Sequence, residues 1–550
     1  MIKMPQPSLD RDVFLDRAIR TIIRVAFLVF VTLQIGSFWL SDTPQLVTRF
    51  ADDAYFYFEI ARNVVETGNL TFDGQTQTNG FHPLWLIVLL PIFRLASNPV
   101  AVLRIIGSSN VLLLGVAGWL GLRHISSRYP LFTFALSALV MIKLIGAFCE
   151  YSMETSLLVP LCIVSLVGIG KANHASLVAS RNRLLLGVGV VLSMVQLARL
   201  DAVLLNFLML VVVTGMNLSS GRKAKLLGKL FLLAGPAFLT GLAYFIANYS
   251  MFGHIVPVSA IAKSMGDGLL NKSMIRQFIE VAAAKNLTSV WAVFSCMLVL
   301  AGGYVVLWIC SRRRMTSPAR LDDSYCIPLT VSLFCLAFAG YYLIGTSWRL
   351  WGWYSYPGLL VGIFVFPLMV ALVEDRFLNW SKTKAAFRAA RVVLTAVLAI
   401  TVCVVAVRWG YWLNVPVEGN FKYQNFLLAE SLNANLARPK LVAQGDRAGS
   451  FAYFFDGNVL QLEGLVGDYE LLEAIRNNTL MDYMSTSGVE YVISHTGPSS
   501  NYDRWTMLVP YAEFSSGPIA EVLLCKTTEK LRKETGAGLI IIWAWPSCGL

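Results

Sequence analysis

The sequence predicts a polytopic α-helical membrane protein followed by a C-terminal α/β domain, and three features predict it. Hydrophobic residues make up 56% of the chain and charged residues only 14%, a balance that needs a bilayer as solvent. Apolar runs of roughly 18 residues or more recur along most of the chain, long enough to cross the hydrocarbon. Beyond Leu413 they give way to mixed polar and apolar sequence.

The spans fall near 24–41, 100–121, 131–148, 152–170, 184–198, 200–217, 227–247, 288–310, 326–345, 356–373 and 392–412, eleven in all. Arg11, Arg17, Arg20 and Arg24 stand before or at the start of the first, and a basic leading segment places the N-terminus in the cytoplasm. Every second connection is then basic, through Arg123 and Arg128, then Lys171, Arg181 and Arg183, then Arg222, Lys223 and Lys225, then Arg312, Arg313 and Arg314, then Lys382, Lys384, Arg388 and Arg391. The net charge of +12 therefore reads as orientation in the bilayer and not as a nucleic-acid partner. The apolar run 84–93 is too short to cross about 30 Å of hydrocarbon and is expected to lie along the outer surface. The first span reads as an uncleaved anchor, since no small-residue cleavage site clearly follows it.

With this parity the long polar connection 42–99 faces outward, together with 149–154, 199–201 and 347–357. Residues 1–412 form one transmembrane domain, and 413–550 an extracytoplasmic one. In the latter, 440–446, 459–462, 490–494, 520–526 and 539–543 read as strands, with helices at 469–477 and 480–487. Acids outnumber bases there. Cys525 and Cys548 are its only cysteines, and an oxidising compartment would permit a disulfide between them. No Cys/His cluster has zinc-ligand spacing.

Asp52 and Asp53 are adjacent acids directly after the first span. Neighbouring carboxylates at a membrane surface lose hydration and repel each other, so they point to proton handling, cation binding or sugar binding. The plain alternative is a pair of acids at a helix N-terminus, where the dipole favours them. Lys143, inside an apolar span, calls for an acidic partner, Glu150 or Glu154.

The order Asp52-Asp53-Ala54-Tyr55, Ala61-Arg62-Asn63, Gly68, then Gly80 with His82-Pro83-Leu84-Trp85 resembles the first external loop of GT-C membrane glycosyltransferases. Four more segments fit the same pattern: Ser152-Met153-Glu154-Thr155, Ala198-Arg199-Leu200-Asp201, Tyr249-Ser250-Met251-Phe252-Gly253-His254-Ile255-Val256-Pro257 leading to Lys263, and Trp351-Gly352-Trp353-Tyr354-Ser355-Tyr356-Pro357. The stretches Gln444-Gly445-Asp446-Arg447-Ala448-Gly449 and Glu463-Gly464-Leu465-Val466 are similar to the soluble tails of some members. The nearest branches are bacterial arabinofuranosyl- and mannosyltransferase-like enzymes that use polyprenyl-phosphate sugars.

That resemblance implies inverting transfer of a sugar from a lipid phosphate to a hydroxyl of a cell-envelope glycan, lipid or protein, at the outer face of a bacterial inner membrane. A hydroxyl is a poor nucleophile at neutral pH, so a carboxylate must take its proton. Asp53 or Asp52 is the candidate base. Lys263 and Arg199, with Arg349 as a third, are the candidates to meet the charge on the leaving phosphate. Glu154, Asp201, His82, His254, Trp353 and Tyr354 are candidate substrate contacts, the aromatics because the flat apolar faces of sugars pack on rings.

Each has a plain competitor: an interfacial Lys263, a self-neutralising Arg199–Asp201 turn, a capping Glu154, an aromatic belt at 348–356, and structural histidines at 82 and 254. No cofactor is required by this chemistry. Paired acids can bind a divalent ion, but a monophosphate donor has no diphosphate to bridge. A secondary transporter, a lipid flippase or a non-catalytic membrane scaffold is the alternative class; the first would place its polar residues at mid-membrane.

Overall fold

The computed structural model describes residues 8–174, 178–219, 226–266, 269–283, 290–314, 326–380, 384–410, 417–435, 440–498, 502–510 and 515–548. Arg222, Lys223, Lys225 and Lys382, four of the basic residues invoked for orientation, lie outside these ranges.

Lipid offers no partner to backbone N–H and C=O groups, so each apolar segment must satisfy its own as a helix. Among the described residues nine helices are long and apolar enough to cross a membrane: Phe14–Leu40, Pro99–Ser126, Leu131–Cys149, Thr155–Ala172, Ser180–Ala198, Leu226–Phe252, Trp291–Ser311, Cys326–Gly345 and Gly352–Asp375. The chain is a multi-pass membrane protein. Two other expected spans coincide with the shorter apolar helices Leu200–Gly215 and Val392–Arg408. The run expected to lie along the surface is the helix Pro83–Leu95. Close helix packing rests on glycine, as at Gly118, where a β-carbon would stand 2.3 Å from Phe27.

The connection after the first span carries its own structure. Asp42 caps the short helix Thr43–Thr48 by accepting from the Gln45 amide. The helix Asp52–Thr67 follows and stops at Gly68, which takes the left-handed conformation at φ 79°. Asn63 donates to the carbonyls of Thr71 and Phe72 and ties the returning loop to this helix.

The C-terminal region is a separate α/β domain. Its main sheet has the order β2-β1-β3-β7-β6, formed by β1 (Leu441–Gln444), β2 (Asn458–Gln461), β3 (Tyr491–Ser494), β6 (Glu529–Thr535) and β7 (Gly538–Ala544). Strand β1 runs parallel to both β2 and β3, while β7 is antiparallel to β3 and β6. A second ladder pairs β4 (Arg504–Val509) with β5 (Ala520–Cys525). Five of these strands match expected ones. Strand β6 was hidden by its own edge position, where exposed charges such as Lys530, Lys533 and Glu534 blunt further pairing. Cys525 and Cys548 are joined by a disulfide.

The domain is fastened to the membrane part at several points. The Lys422 ammonium donates to the carbonyls of Thr48 (2.7 Å) and Phe50. The Ser516 amide donates to the Ser347 carbonyl at 2.9 Å. At Gly80 a β-carbon would lie 2.2 Å from the Leu465 carbonyl oxygen, so only glycine allows the two backbones this approach.

Candidate active site

Successive helical residues point about 100° apart, and this separates the two acids that open the helix Asp52–Thr67. Asp52 turns toward the C-terminal domain, where its carboxylate accepts from the amides of Gly449 and Ser450, both at 2.9 Å. These amides are in the first turn of the helix Ala448–Phe454, so Asp52 caps a helix some 400 positions away in sequence. Asp53 turns the other way. Among the described residues it accepts no hydrogen bond; it lies within electrostatic reach of Lys263, Asp52, Asp446 and Glu154. Burial raises its carboxyl to about 7; the nearby Lys263 opposes this, and the neighbouring acids reinforce it.

Lys263 sits on the helix Val258–Ser264, just after Pro257. Its ammonium donates to the Tyr354 hydroxyl at 2.9 Å. Burial alone would lower its pKa, but Tyr354 and Asp53 outweigh that and hold it above the ordinary lysine value. The backbone here is braced as well, since the Ser347 amide donates to the Lys263 carbonyl at 2.7 Å.

Arg199 and Glu154 are buried side by side. The guanidinium donates to Glu154 Oε1 at 2.5 Å and clasps Asp201 with two bonds, at 3.0 and 2.6 Å. The Tyr342 hydroxyl donates to the same Asp201 carboxylate at 2.6 Å. Glu154 thus finds its cation in Arg199 and not in Lys143. Below the guanidinium lies the Tyr354 ring, 4.7 Å from centroid to carbon. Arg199 is therefore charge-balanced by protein carboxylates, whereas the Lys263 ammonium is held by the Tyr354 hydroxyl, within electrostatic reach of Asp53.

His82 completes this side. Its Nε2 is 3.9 Å from Glu154 Oε1, its ring stacks at 6.3 Å on Tyr57, and its Nδ1 is buried without a partner. Burial lowers its pKa to about 4 despite Glu154, so the imidazole is neutral at neutral pH. The backbone of Ser152 adopts φ 50° in the adjoining turn, a conformation that non-glycine residues hold only where the surroundings fix it.

The remaining candidates lie around this centre or away from it. Trp353 packs on Tyr151, Trp351 and Tyr354, beside the ring whose hydroxyl holds Lys263. Arg349 reaches Glu280 at 3.6 Å and Trp351; nothing links it to Lys263 or Asp53. His254 stacks at 3.7 Å on Tyr469 of the C-terminal domain, whose hydroxyl donates to the Val256 carbonyl and accepts from Asn79. That contact is a domain fastening.

Sequence reading did not single out Tyr57, which lies within electrostatic reach of Glu154, Arg199, Tyr354 and Asp53. The signal was present, since Tyr57 follows Asp53 by four residues on one helix face. Nor did it assign roles to Asp446 and Glu463, brought to Asp53 from the C-terminal domain. Among the described residues no three His, Cys, Asp or Glu side chains are grouped so as to hold a metal ion. The cation within electrostatic reach of Asp53 is Lys263.

No protein-family model and no curated protein sequence matches the chain. Solved structures do. The oligosaccharyltransferase of Archaeoglobus fulgidus, with a tethered acceptor peptide, aligns with 86% of this chain and 68% of its own at 13% identity and a TM-score of 0.50. The same organism's AglB, in complex with an inhibitory peptide and a dolichol-phosphate, gives 12% identity over 86% and 69% with a TM-score of 0.50. ArnT of Cupriavidus metallidurans aligns over 94% of this chain and 97% of its own, at 13% identity and a TM-score of 0.49.

Proposed function

From the GT-C membrane-glycosyltransferase fold that this chain shares with those structures, we propose that it transfers a sugar, with inversion, from a polyprenyl-phosphate donor to a hydroxyl acceptor. The acceptor class is a cell-envelope glycan, lipid or protein, and the reaction takes place at the outer face of a bacterial inner membrane. The observation that carries this reading is a half-buried Asp53 carboxylate, free of hydrogen bonds among the described residues, within electrostatic reach of the Lys263 ammonium. AglB has been captured with a dolichol-phosphate, a polyprenyl phosphate of the class proposed here.

The chemistry follows from that pairing. The Asp53 carboxylate takes the acceptor hydroxyl proton as that oxygen forms its bond to the anomeric carbon. On the opposite face of the sugar the carbon–oxygen bond to the phosphate breaks, and its electron pair leaves on the phosphate oxygen. The Lys263 ammonium, fixed by Tyr354, meets the charge that grows there. A carboxyl raised to about 7 is a stronger base than a solvated one and is still ionised in useful proportion near neutrality. Arg199, already clasped by Glu154 and Asp201, positions Tyr354 and Glu154 in this proposal and does not bind the phosphate itself.

The test is transfer by purified protein in nanodiscs across radiolabelled polyprenyl-phosphate sugars, comparing wild type with Asp53→Asn and Asp52→Asn and checking folding throughout. One donor consumed by wild type and spared by Asp53→Asn supports the reading. Equal turnover by both variants and by their double variant overturns it.

A further inference from the structure

The central strands of the C-terminal domain end at the proposed active site, and two side-chain oxygens at those ends lack partners. Strand β1 is flanked by β2 on one side and β3 on the other, both parallel to it. The connection from β1 leads to β2 on one side and the connection from β2 returns past β1 to β3 on the other, and such a reversal opens a crevice beyond the carboxyl ends of the strands. Gln444 closes β1 and Gln461 closes β2, as register partners, so their side chains stand on one face. Beyond them come Asp446 and Glu463.

Two oxygens there are buried with nothing to bond. Gln444 is 0% exposed and its Oε1 has no partner; its amide nitrogen is spent on the Arg447 and Asp446 carbonyls, at 3.0 and 3.4 Å. Glu463 is 6% exposed, its Oε2 accepts from Gln461 at 3.2 Å, and its Oε1 has no partner. A buried polar atom left unpaired costs about 1–3 kcal/mol, and two in one crevice call for a ligand that supplies hydrogen bonds. Glu463 also lies within electrostatic reach of Asp446, Asp53 and Asp52, which places the crevice against the proposed base. Arg447, between these strand ends and the next helix, is held at φ 66°, which turns the chain back toward Asp52.

We infer that Gln444 and Glu463 form a sugar-hydroxyl subsite, lent by the C-terminal domain to the site around Asp53. A polyol is the ligand that fits, because each sugar hydroxyl both donates and accepts. Gln444 Oε1 accepts from one hydroxyl. Glu463 Oε1, buried and without a partner, meets another; burial, reinforced by Asp446, Asp53 and Asp52, raises its carboxyl above the ordinary carboxylate range. The polyol is either the donor's sugar ring or the acceptor glycan.

The inference rests on the transferase reading, and steady-state kinetics on the full-length protein separate the two. Glu463→Leu and Gln444→Leu are each expected to raise the KM of one substrate about tenfold, the effect of losing one such hydrogen bond, leaving the other KM near wild type; Gln444→Leu also strands the Arg447 and Asp446 carbonyls and lowers the melting temperature. The substrate whose KM moves names the source of the polyol. Glu463→Gln keeps a polar head of the same shape, with an oxygen and an N–H to meet a hydroxyl, and is expected to stay close to wild type. Unchanged KM values in both leucine variants overturn the inference while the transferase reading stands. Lower melting temperatures with both substrates equally impaired overturn it too, by making the pair merely structural. A wild type that moves no sugar from its own cells' lipid extract to their envelope fraction removes the transferase reading, and the subsite with it.

Discussion

The Asp52 carboxylate accepts from the Gly449 amide at 2.9 Å, across the junction between the membrane part and the C-terminal domain. With the Ser450 bond it satisfies two amides at the start of a helix, where a negative charge also meets the helix dipole. The approach is tight, since a β-carbon at Gly449 would stand 2.2 Å from the Asp52 carbonyl oxygen. Both Asp52 oxygens are thus occupied, whereas Asp53 has none engaged.

Asp52→Ala therefore leaves two amides without their acceptor and is expected to cost roughly 1–3 kcal/mol of stability. A lower melting temperature and earlier proteolytic cutting at the domain junction are the readouts. Asp53→Asn is expected to leave both unchanged near neutral pH or to improve them. A destabilised Asp53→Asn beside an unaffected Asp52→Ala would reverse the division of labour.

The raised Asp53 carboxyl makes opposite demands on activity and stability. The folded protein keeps a proton up to about 7 that the unfolded chain loses near 3.8. Below 3.8 both states are protonated; between the two values only the folded one is, so this group's contribution to stability falls as pH rises through that window. Above about 7 the wild type is expected to melt below Asp53→Asn, the difference vanishing below 3.8. Transfer rate should rise with pH through about 7 as the base ionises. Asp53→Asn should lose this limb and on the order of 10²–10⁴ in kcat. A flat wild-type profile would point to another base.

Lys263 supplies the cation in this scheme. Lys263→Met is expected to keep the fold, because among the described residues its side chain is bonded only to the Tyr354 hydroxyl. It should cut kcat/KM by about a hundredfold, the effect of removing one charge-assisted hydrogen bond from a partly dry site. Transfer is also expected to persist in EDTA, because Lys263 does the work a divalent ion would otherwise do. Activity abolished by EDTA and restored by Mg2+ or Mn2+ would show that a metal is needed.

The membrane architecture was legible because lipid leaves a chain few options. Apolar length reveals a helix, and alternating basic connections sort the loops by side. That is why the order of residues alone places Asp53, Glu154, Arg199 and Lys263, scattered over some 200 positions, on one face of the membrane. What was illegible came through tertiary pairing. Nothing local marks Glu463 as a neighbour of Asp53, or says that Asp52 caps a helix of another domain. Strand β6, with Glu529, Lys530, Arg532, Lys533 and Glu534, lacks the apolar alternation that reveals strands. His254 read as a substrate contact because it stands in a motif, and its stacking on Tyr469 depends on residues more than 200 positions apart.

Arg199 offers the sharpest test of the site's internal wiring. Its two bonds to Asp201 and one to Glu154 use the planar fork of the guanidinium. A lysine ammonium is a single point and cannot reproduce that geometry, so Arg199→Lys is expected to behave as a loss. Removing one partner of a buried ion pair strands the others, at a cost of about 3–5 kcal/mol. Arg199→Ala should therefore fold poorly. The triple variant Arg199→Met, Glu154→Gln, Asp201→Asn removes every stranded charge and should regain most of the stability. If the triad serves to hold Tyr354 and Glu154 for the substrate, that triple variant folds yet stays nearly inactive. If it folds and transfers sugar at the wild-type rate, the triad is only structural.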